Sequence, residues 1–363
     1  MVPVVATPAP LSELGFHRVT VPLRVPHRGA TTSEAQRDVV LVSITLGDGT
    51  VGWAECASLS DPFYAGETTD DVWRVALDQV GPAFMSMPLW RAMPMEVPSP
   101  ALASALVDAR RDAELRAAGE PWRPAIGLSA RHTPMCLVVG LAVSVPVPGA
   151  QLPPGVTMVK LKVTPLTLDR ITAVREAWPE IPLAIDANES FSTAEDLPLG
   201  LLSELAYVEQ PFARTDLAAH AELRKRGVRV ALDESVHDLA AVRRALGADA
   251  CDVVSVKPGL VGGADAAIEI ARLVRSRGGS CFVGGMLELG VGRLAAARVA
   301  ASEFFDLPTD LGPSNRYVEH DIAEPSTSDH LGLIVDDGPG LAAPPFPDRL
   351  AAVRTGVAVF RSD

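Results

Sequence analysis

The feature that most constrains the fold is a series of short apolar runs in the middle of the chain. The runs are MVKLKV, PLAIDAN, LAYVEQP, VRVALDES, DVVSVKPG and SCFVGGM, and the residues at their ends are Lys162, Asp186, Glu209, Asp233, Lys257 and Gly284. Successive end residues lie 23 to 27 positions apart. This spacing is about one strand plus one helix, and amphipathic segments such as LDRITAVREAWPE fill the intervals.

Buried strands that alternate with helices predict an α/β fold with a parallel sheet. CLVVGLAV precedes the series and there is room for one more strand after it, which favours a closed barrel over an open sheet. Before the barrel, HRVTVPLRVPH and DVVLVSITLGDGTVGWAEC predict a hairpin or meander, and two helical segments follow. We therefore expect a compact α+β domain of about 130 residues in front of the barrel.

Composition and charge exclude several classes of function. The net charge of −13 leaves no basic surplus for nucleic acid, and no apolar run is long enough to span a membrane. The four cysteines are far apart and form no CxxC pair, so neither a disulfide framework nor a zinc site is expected. The N-terminus has no signal-peptide pattern. We expect a cytoplasmic protein, a homo-oligomer, that acts on a small-molecule carboxylate and binds neither nucleic acid nor membrane.

Three acidic residues follow three consecutive strands of the predicted barrel, namely Asp186, Glu209 and Asp233. Side chains at the C-terminal ends of barrel strands converge on one site. Three carboxylates with room for water and substrate suit Mg²⁺ or Mn²⁺ better than zinc, which prefers histidine and thiolate ligands. The alternative is that each acid caps the helix that follows it. Three such acids in succession, with lysines on both sides, favour the metal site.

Lys160 and Lys162 lie two residues apart, so both side chains point to one face of a predicted strand. Burying two ammonium groups together is costly unless the site uses them. Lys162 precedes the three carboxylates by one strand and Lys257 follows them by one, so the two lysines flank the cation. A lysine can deprotonate the carbon next to a carboxylate if a neighbouring positive charge lowers its pKa. Lys160 is predicted to supply that charge, which makes these three lysines the candidate catalytic residues.

Two alternative interpretations of the lysines remain open. A single lysine at a strand end is usually a solvated charge, although two on one buried face argue against that interpretation. A Schiff-base lysine, as in aldolases, would explain one lysine but would leave the three carboxylates without a role.

Taken together, the motifs resemble the enolase superfamily in its muconate-lactonizing-enzyme-like branch. The matching motifs are KLK at 160–162, DAN at Asp186, VEQPF at Glu209, LDES at Asp233 and VKPGLVGG at Lys257. GGMLELGVGR and DLGPSNRYVEHDIAEP are similar to the group that holds o-succinylbenzoate synthases and N-acylamino acid racemases. The resemblance extends over essentially the whole chain.

The resemblance implies a modified TIM barrel, (β/α)7β, with an N-terminal α+β capping domain. Residues 1–130 would form the capping domain, 131–322 the barrel, and 323–363 a segment that returns to the capping domain. Mg²⁺ would be bound by Asp186, Glu209 and Asp233, with Lys162 as general base and Lys257 facing it across the substrate. The predicted substrate contacts are Asn188, Gly284, Gly285 and Met286, whereas Arg28, Tyr64, Glu234 and Glu288 receive no role.

The same resemblance leaves two reactions open. In the synthase reaction, the base removes the proton α to the carboxylate of a cyclohexadiene hydroxy-acid, and water is then lost. In the racemase reaction, two lysines exchange protons on opposite faces of an N-acylamino acid. The sequence departs from the usual pattern at Ser255, Leu260 and Leu289, which leaves the substrate undecided. Muconate cycloisomerase, dipeptide epimerase and a catalytically inactive barrel are the weaker alternatives.

Overall fold

The structure is a computed structural model that describes residues 10–28, 33–86, 96–125, 127 and 129–361. The strands are β1 (Leu11–Arg28), β2 (Ser33–Leu46), β3 (Val51–Glu55), β4 (His132–Thr133), β5 (Met135–Val139), β6 (Val156–Lys162), β7 (Leu183–Asp186), β8 (Val208–Glu209), β9 (Val230–Leu232), β10 (Val253–Val256), β11 (Ser280–Val283), β12 (Ser328–Asp329), β13 (Gly332–Ile334) and β14 (Arg354–Arg361). The α-helices are α1 (Thr69–Val75), α2 (Gly81–Ser86), α3 (Pro100–Ala118), α4 (Arg170–Ala177), α5 (Leu199–Leu202), α6 (Leu217–Lys225), α7 (Leu239–Gly247), α8 (Ala264–Ser276), α9 (Gly290–Ala300) and α10 (Pro347–Val353). A π-helical turn at Ala76–Val80 joins α1 to α2.

The N-terminal domain is an antiparallel sheet in the order β14-β1-β2-β3, covered by α1–α3. Strand β2 alternates strictly, so Val40 and Val42 pack against the helices while Val39 and Leu41 pack towards the barrel. Helix α3 begins where Ser99 Oγ accepts a hydrogen bond from Leu102 N (3.2 Å), as its N-cap pattern predicts. Burial on both faces of the sheet attaches this domain firmly to the rest of the chain.

The second domain is a curled parallel sheet of seven strands, β5 to β11, arranged in chain order. Residues 307–309 connect its two edges, because Leu307 N donates to Cys281 O (3.1 Å) and Cys136 N donates to Thr309 O (2.7 Å). The predicted α/β barrel is therefore confirmed. The lower interior is filled by one layer of side chains: Cys136, Met158, Ala184, Tyr207, Ala231, Val253 and Phe282. This layer closes the barrel beneath the strand ends, so that a ligand can enter only from above.

Every residue that ends an apolar run lies at the C-terminal end of its strand or one position beyond it. Lys162, Asp186 and Glu209 are the last residues of β6, β7 and β8, and Asp233, Lys257 and Gly284 directly follow β9, β10 and β11. All six therefore face the same rim of the barrel. The C-terminal strand β14 pairs with β1, so the end of the chain returns to the first sheet. The domain boundaries at 130 and 322 stay predictions.

None of the helices in the described part of the chain combines the length and hydropathy needed to cross a bilayer. The four cysteines, Cys56, Cys136, Cys251 and Cys281, are buried free thiols, which agrees with the expectation that they form no disulfide.

The two domains meet at buried carboxylates, of which Asp108 on α3 is one. Its Oδ1 accepts a hydrogen bond from Ala264 N (2.9 Å) at the start of α8. Burial raises the pKa of Asp108 from 3.8 to about 7, and the nearby charges of Asp265 and Asp112 add to the effect. The folded protein therefore holds a proton on Asp108 at pH values where the unfolded chain has lost it.

We expect this proton to make stability fall as pH rises. The stabilisation from Asp108 is complete below pH 3.8 and disappears as pH rises through about 7, because the folded pKa is the higher one. The stability that the folded protein loses through Asp108 between pH 5 and pH 8 amounts to about 3 kcal/mol. Urea unfolding of the wild type and of Asp108→Asn at pH 5 and at pH 8 measures this loss. The free energy of unfolding of the variant should fall between the two pH values by about 3 kcal/mol less than that of the wild type. An identical pH dependence in both proteins would refute the assignment.

Candidate active site

Strand β6 brings two lysines to the inside of the barrel. Its side chains alternate, so Lys160 and Lys162 point inward above Met158, while Val159 and Leu161 pack outward against the helices. The side chains of Lys160 and Lys162 are only 3% and 8% exposed. The structure thus places both lysines on one buried face, as their spacing predicts.

Lys162 is held by the next strand. Its Nζ donates to Asp186 Oδ2 (2.9 Å) and to Asn188 Oδ1 (2.6 Å). Asp186 lies opposite Lys162 in the register between β6 and β7, which explains why their side chains meet. Burial lowers the pKa of Lys162, but the Asp186 carboxylate outweighs burial, so the pKa lies above its ordinary value.

The predicted effect of Lys160 on Lys162 has the correct direction but not the expected outcome. Lys160 does lower the pKa of Lys162, but less than Asp186 raises it. Its own Nζ donates to Glu209 Oε2 (2.8 Å) and Asp310 Oδ2 (2.9 Å). Because two carboxylates compensate its charge, Lys160 acts here first as their counter-ion. The expectation that it keeps Lys162 neutral is therefore not met in this arrangement.

Lys257 occupies the equivalent position on the other side. It forms a buried ion pair with Asp233 from the preceding strand end, and its Nζ lies 5.0 Å from the ring centroid of Tyr64 in the N-terminal domain. Burial lowers the pKa of Lys257, but Asp233, through its charge and its hydrogen bond, acts together with Tyr64 and Glu234 to raise the pKa above the ordinary value. Each of the three lysines is thus paired with one carboxylate of the predicted metal set.

The three carboxylates are buried and close enough to influence one another. Asp186, Glu209 and Asp233 are 3%, 1% and 6% exposed. Burial raises the pKa of Glu209 well above its usual range, and the charges of Asp186 and Asp233 raise it further. A cluster of mutually repelling carboxylate oxygens is the donor set that a hard divalent cation neutralises best. The residues present fit such a cation in their chemistry.

Their arrangement differs from a preassembled metal site. Among the described residues, no group of three or more His, Cys, Asp or Glu side chains has the geometry to hold a metal ion. The reason is visible in the ion pairs, since each carboxylate faces a lysine: Asp186 with Lys162, Glu209 with Lys160 and Asp233 with Lys257. A cation would therefore compete with the lysines for these oxygens.

Asn188 connects the lysine of β6 to the opposite side of the site. Its Nδ2 donates to Tyr64 Oη (2.9 Å) and to Glu234 Oε1 (2.9 Å), while its Oδ1 accepts from Lys162. Burial raises the pKa of Glu234 to about 8, and the charges of Asp233 and Asp186 add to this. The backbone of Asn188 adopts φ +40°, a region that asparagine tolerates better than most residues.

These side chains open into one cavity of about 490 Å³ between the barrel rim and the N-terminal domain. Its polar floor consists of Lys160, Lys162, Asp186, Asp233, Lys257 and Asp310, and its more apolar walls include Leu23, Val25, Leu59, Tyr64, Met286, Leu287 and Leu311. The volume is typical of small-molecule sites. Of the predicted substrate contacts, Gly285 and Met286 line the cavity. Asn188 and Gly284 are not among the described residues that line it.

Asp310 is the functional residue that the sequence analysis missed. It accepts from Lys160 Nζ through Oδ2 and from Gly285 N (2.6 Å) through Oδ1, and it lines the cavity floor. Asp310 lies 26 residues after Gly284, which is within the spacing of the series, but no uninterrupted apolar run precedes it. The cavity wall also contains Arg293 and Tyr317, whose guanidinium and ring lie 4.4 Å apart.

Comparison with known proteins agrees with this geometry. A family model described as enolase C-terminal domain-like matches residues 150–348. The chain belongs to the enolase superfamily. Among curated relatives, an N-succinylamino acid racemase from Amycolatopsis sp is 31% identical over 95% of this chain and 98% of the relative. An o-succinylbenzoate synthase from Geobacillus stearothermophilus is 31% identical over 88% of this chain and 89% of the relative.

Solved structures of the enolase superfamily match the whole architecture. A probable mandelate racemase from Alicyclobacillus acidocaldarius superposes with a TM-score of 0.83 at 28% identity, covering 97% of this chain and 99% of its own. A dipeptide epimerase from Cytophaga hutchinsonii, solved with Mg and the dipeptide D-Ala-L-Val, gives a TM-score of 0.77 at 21% identity, covering 97% and 100%. The sequence-based assignment to this superfamily is therefore confirmed, and the names of its relatives support the proton-abstraction chemistry of the superfamily.

Proposed function

We propose that this protein uses Mg²⁺ to remove the proton α to a substrate carboxylate and then eliminates water to form o-succinylbenzoate, a step of menaquinone biosynthesis. The observation that carries the proposal is the pair of buried lysines, Lys162 and Lys257. They come from β6 and β10, beside the three carboxylates, and both line one cavity. The synthase relative of 31% identity supports this reaction.

The protein's own groups divide the work as follows. Lys162, as the neutral amine, accepts the α proton, Asn188 orients its amino group, and Lys257 stabilises the negative charge that develops on the substrate. The leaving hydroxyl departs as water with the proton that Lys162 has taken, which returns the base to its neutral form. A divalent cation held by Asp186, Glu209 and Asp233 would supply positive charge to the substrate carboxylate and would draw Asp186 away from Lys162.

The second candidate is an N-acylamino acid racemase, with N-succinylamino acids as the substrate class. It is favoured by the racemase relative, which matches 95% of this chain, and by the presence of two lysines in one cavity. In this reaction Lys162 removes the proton from one face of the carbon and Lys257 returns one to the other. Both candidates share the first step, so the same site serves either reaction.

One assay separates the candidates. Purified protein with Mg²⁺ is given the cyclohexadiene precursor of o-succinylbenzoate, and separately N-succinyl and N-acetyl amino acids in D₂O. We expect loss of the precursor absorbance for the synthase, and α-proton exchange without that loss for the racemase. If the metal-loaded protein reacts with none of these compounds, both candidates are wrong.

Magnesium is expected to raise the thermal stability of the metal-free protein. A ligand that binds only the folded state adds about 2.7 kcal/mol at a free concentration one hundred times its Kd. Glu209→Gln should lose most of this stabilisation because it removes a carboxylate of the proposed set. Glu204→Gln, which changes a side chain that is 63% exposed, should retain it. Melting curves with Mg²⁺ and with EDTA measure the effect, and equal shifts in both variants would contradict the proposed ligand set.

We also propose that the protein is a cytoplasmic homo-oligomer. The four buried free cysteines support a reducing compartment. Light scattering on the purified protein tests the oligomeric state.

A further inference from the structure

Carboxylates from several parts of the chain hold the main chain along one side of the cavity. This wall segment, residues 284–292, follows β11 and leads into α9. The pairs of amide donor and carboxylate acceptor are Gly285 with Asp310, Met286 with Glu288, Gly290 with Asp321, and both Leu289 and Gly292 with Glu55. Of these four carboxylates, Glu55 is the one contributed by the N-terminal sheet.

Glu55 is the last residue of β3, and its carboxylate spans the start of α9. Its Oε1 accepts from Leu289 N (3.0 Å) and its Oε2 accepts from Gly292 N (3.1 Å). Unpaired amides and the helix dipole make the beginning of a helix a favourable place for an acceptor of this charge. The Glu55 side chain is 0% exposed, and Arg37 Nη2 approaches it to 3.6 Å. Loss of the carboxylate would therefore leave two buried amides without their acceptor.

Glu55 packs closely against the start of α9. A Cβ atom added at Gly292 would lie 3.0 Å from both Cβ and Oε2 of Glu55, closer than nearly all real Cβ contacts. Met286 and Leu287, which line the cavity, lie a few residues before this contact. Leu287 adopts φ +59°, a strained conformation that surrounding contacts must maintain. A shift of the helix start is therefore transmitted to the residues that face the substrate.

We propose that Glu55 is a positioning residue: it connects the end of β3 in the N-terminal sheet to the wall segment and so sets the shape of the cavity. Glu55 does not touch the cavity; it acts through Leu289 and Gly292. The effect on catalysis rests on the proposed proton abstraction. Gly284, at the start of the wall, lies beside Lys257, whereas Glu55 holds the wall at Leu289 and Gly292. Glu55 therefore affects how the substrate is held more than how fast its proton is removed.

Hydrogen exchange of the substrate-free protein tests the structural part. In Glu55→Gln, amides of residues 284–292 should exchange at least about 10-fold faster than in the wild type. The matched control is Asp112→Asn, which changes another fully buried carboxylate of the same domain. Asp112 accepts from the amides of Leu341 (2.6 Å), Ala342 (3.0 Å) and Trp53 (2.8 Å), so faster exchange should appear at those three amides and not in the wall segment.

Steady-state kinetics test the catalytic part with the substrate that the enzyme turns over. Glu55→Gln should raise KM about 10-fold with kcat within about threefold of wild type, whereas Asp112→Asn should leave the ratio of the two constants unchanged. Gly292→Ala disturbs the same contact from the barrel side while Glu55 stays intact, and its added Cβ would also lie 3.2 Å from Glu288 Cβ in the wall segment. It should reproduce the rise in KM, and it should add little when combined with Glu55→Gln.

The outcomes separate this inference from the proposed function. Unchanged exchange in the wall segment of Glu55→Gln overturns the positioning role, and so does a shift of KM and kcat that Asp112→Asn shows equally. Full additivity of Glu55→Gln and Gly292→Ala also overturns it. If no protein turns over any substrate, the proposed function fails while the exchange experiment still decides whether Glu55 holds the wall.

Discussion

Replacement of Lys162 by alanine is expected to lower kcat by about 10³-fold or more while the protein stays folded. Positioned general bases contribute about 10²- to 10⁴-fold to the rate, and here the first step has no other base on that face of the substrate in the proposed mechanism. Loss of the precursor absorbance measures the synthase reaction, and α-proton exchange in D₂O measures proton removal itself. Turnover of the precursor should fall together with exchange of the enantiomer that Lys162 deprotonates, because both depend on this step.

The control for Lys162→Ala is Lys225→Ala on α6. The Lys225 side chain is 67% exposed and approaches Glu222 at 3.9 Å, so its loss should leave kcat unchanged. Removal of Lys162 also leaves Asp186 buried without its lysine, so circular dichroism and a melting curve are needed to show that the variant is folded. A folded Lys162→Ala protein with wild-type turnover would show that another group is the base.

Replacement of Lys257 by alanine is expected to affect proton transfer on one face of the substrate and not on the other. Lys162 and Lys257 approach the cavity from β6 and β10, with three strands between them. If the protein is a racemase, Lys257→Ala should slow racemisation by about 10³-fold or more but leave deuterium exchange of one enantiomer intact. Lys162→Ala should leave exchange of the opposite enantiomer intact. NMR of the separate D- and L-N-succinylamino acids in D₂O measures the four rates.

The pattern of these four rates decides the role of Lys257. If each variant loses deuterium exchange of a different enantiomer, one lysine acts as proton donor and acceptor on each face of the substrate. If Lys257→Ala slows deuterium exchange of both enantiomers equally, that role is contradicted. Lys257 would then be the charge that stabilises the intermediate, as in the synthase proposal. Arg272→Ala, on the exterior helix α8 and outside the described cavity lining, serves as the control that should change none of the rates.

The barrel could be predicted because its repeating unit leaves a periodic trace in the sequence. Strands buried on both faces read as apolar runs, and the first residue that must face the rim breaks each run. This rule placed the ends of β6 to β11 correctly. It failed at Asp310 because the chain there forms no regular strand. Residues 307–309 contribute single hydrogen bonds to β11 and β5, and the apolar run is interrupted by Pro308.

The electrostatics of the site could be predicted only in part. The spacing in MVKLKV shows that Lys160 and Lys162 share a face, but not that Lys160 turns to Glu209 and Asp310. Since Asp310 lies 150 residues from Lys160, no local pattern reveals the pair. The prediction that Lys160 keeps Lys162 neutral is not met in this arrangement, because Asp186, at contact distance, raises the pKa of Lys162 more than Lys160 lowers it.

The sequence by itself determined the fold class, the superfamily and the set of lysines and carboxylates at the barrel rim. The fold class and the set of side chains follow from periodicity and residue types, and the superfamily follows from the resemblance of short motifs; all of these are local properties of the chain. Only the tertiary structure decided which lysine faces which carboxylate, that Asn188 accepts a hydrogen bond from Lys162, and that Glu55 of the first sheet accepts hydrogen bonds from the start of α9. Such contacts join residues that are distant in sequence, and their energies depend on distance and burial, which exist only once the chain has folded.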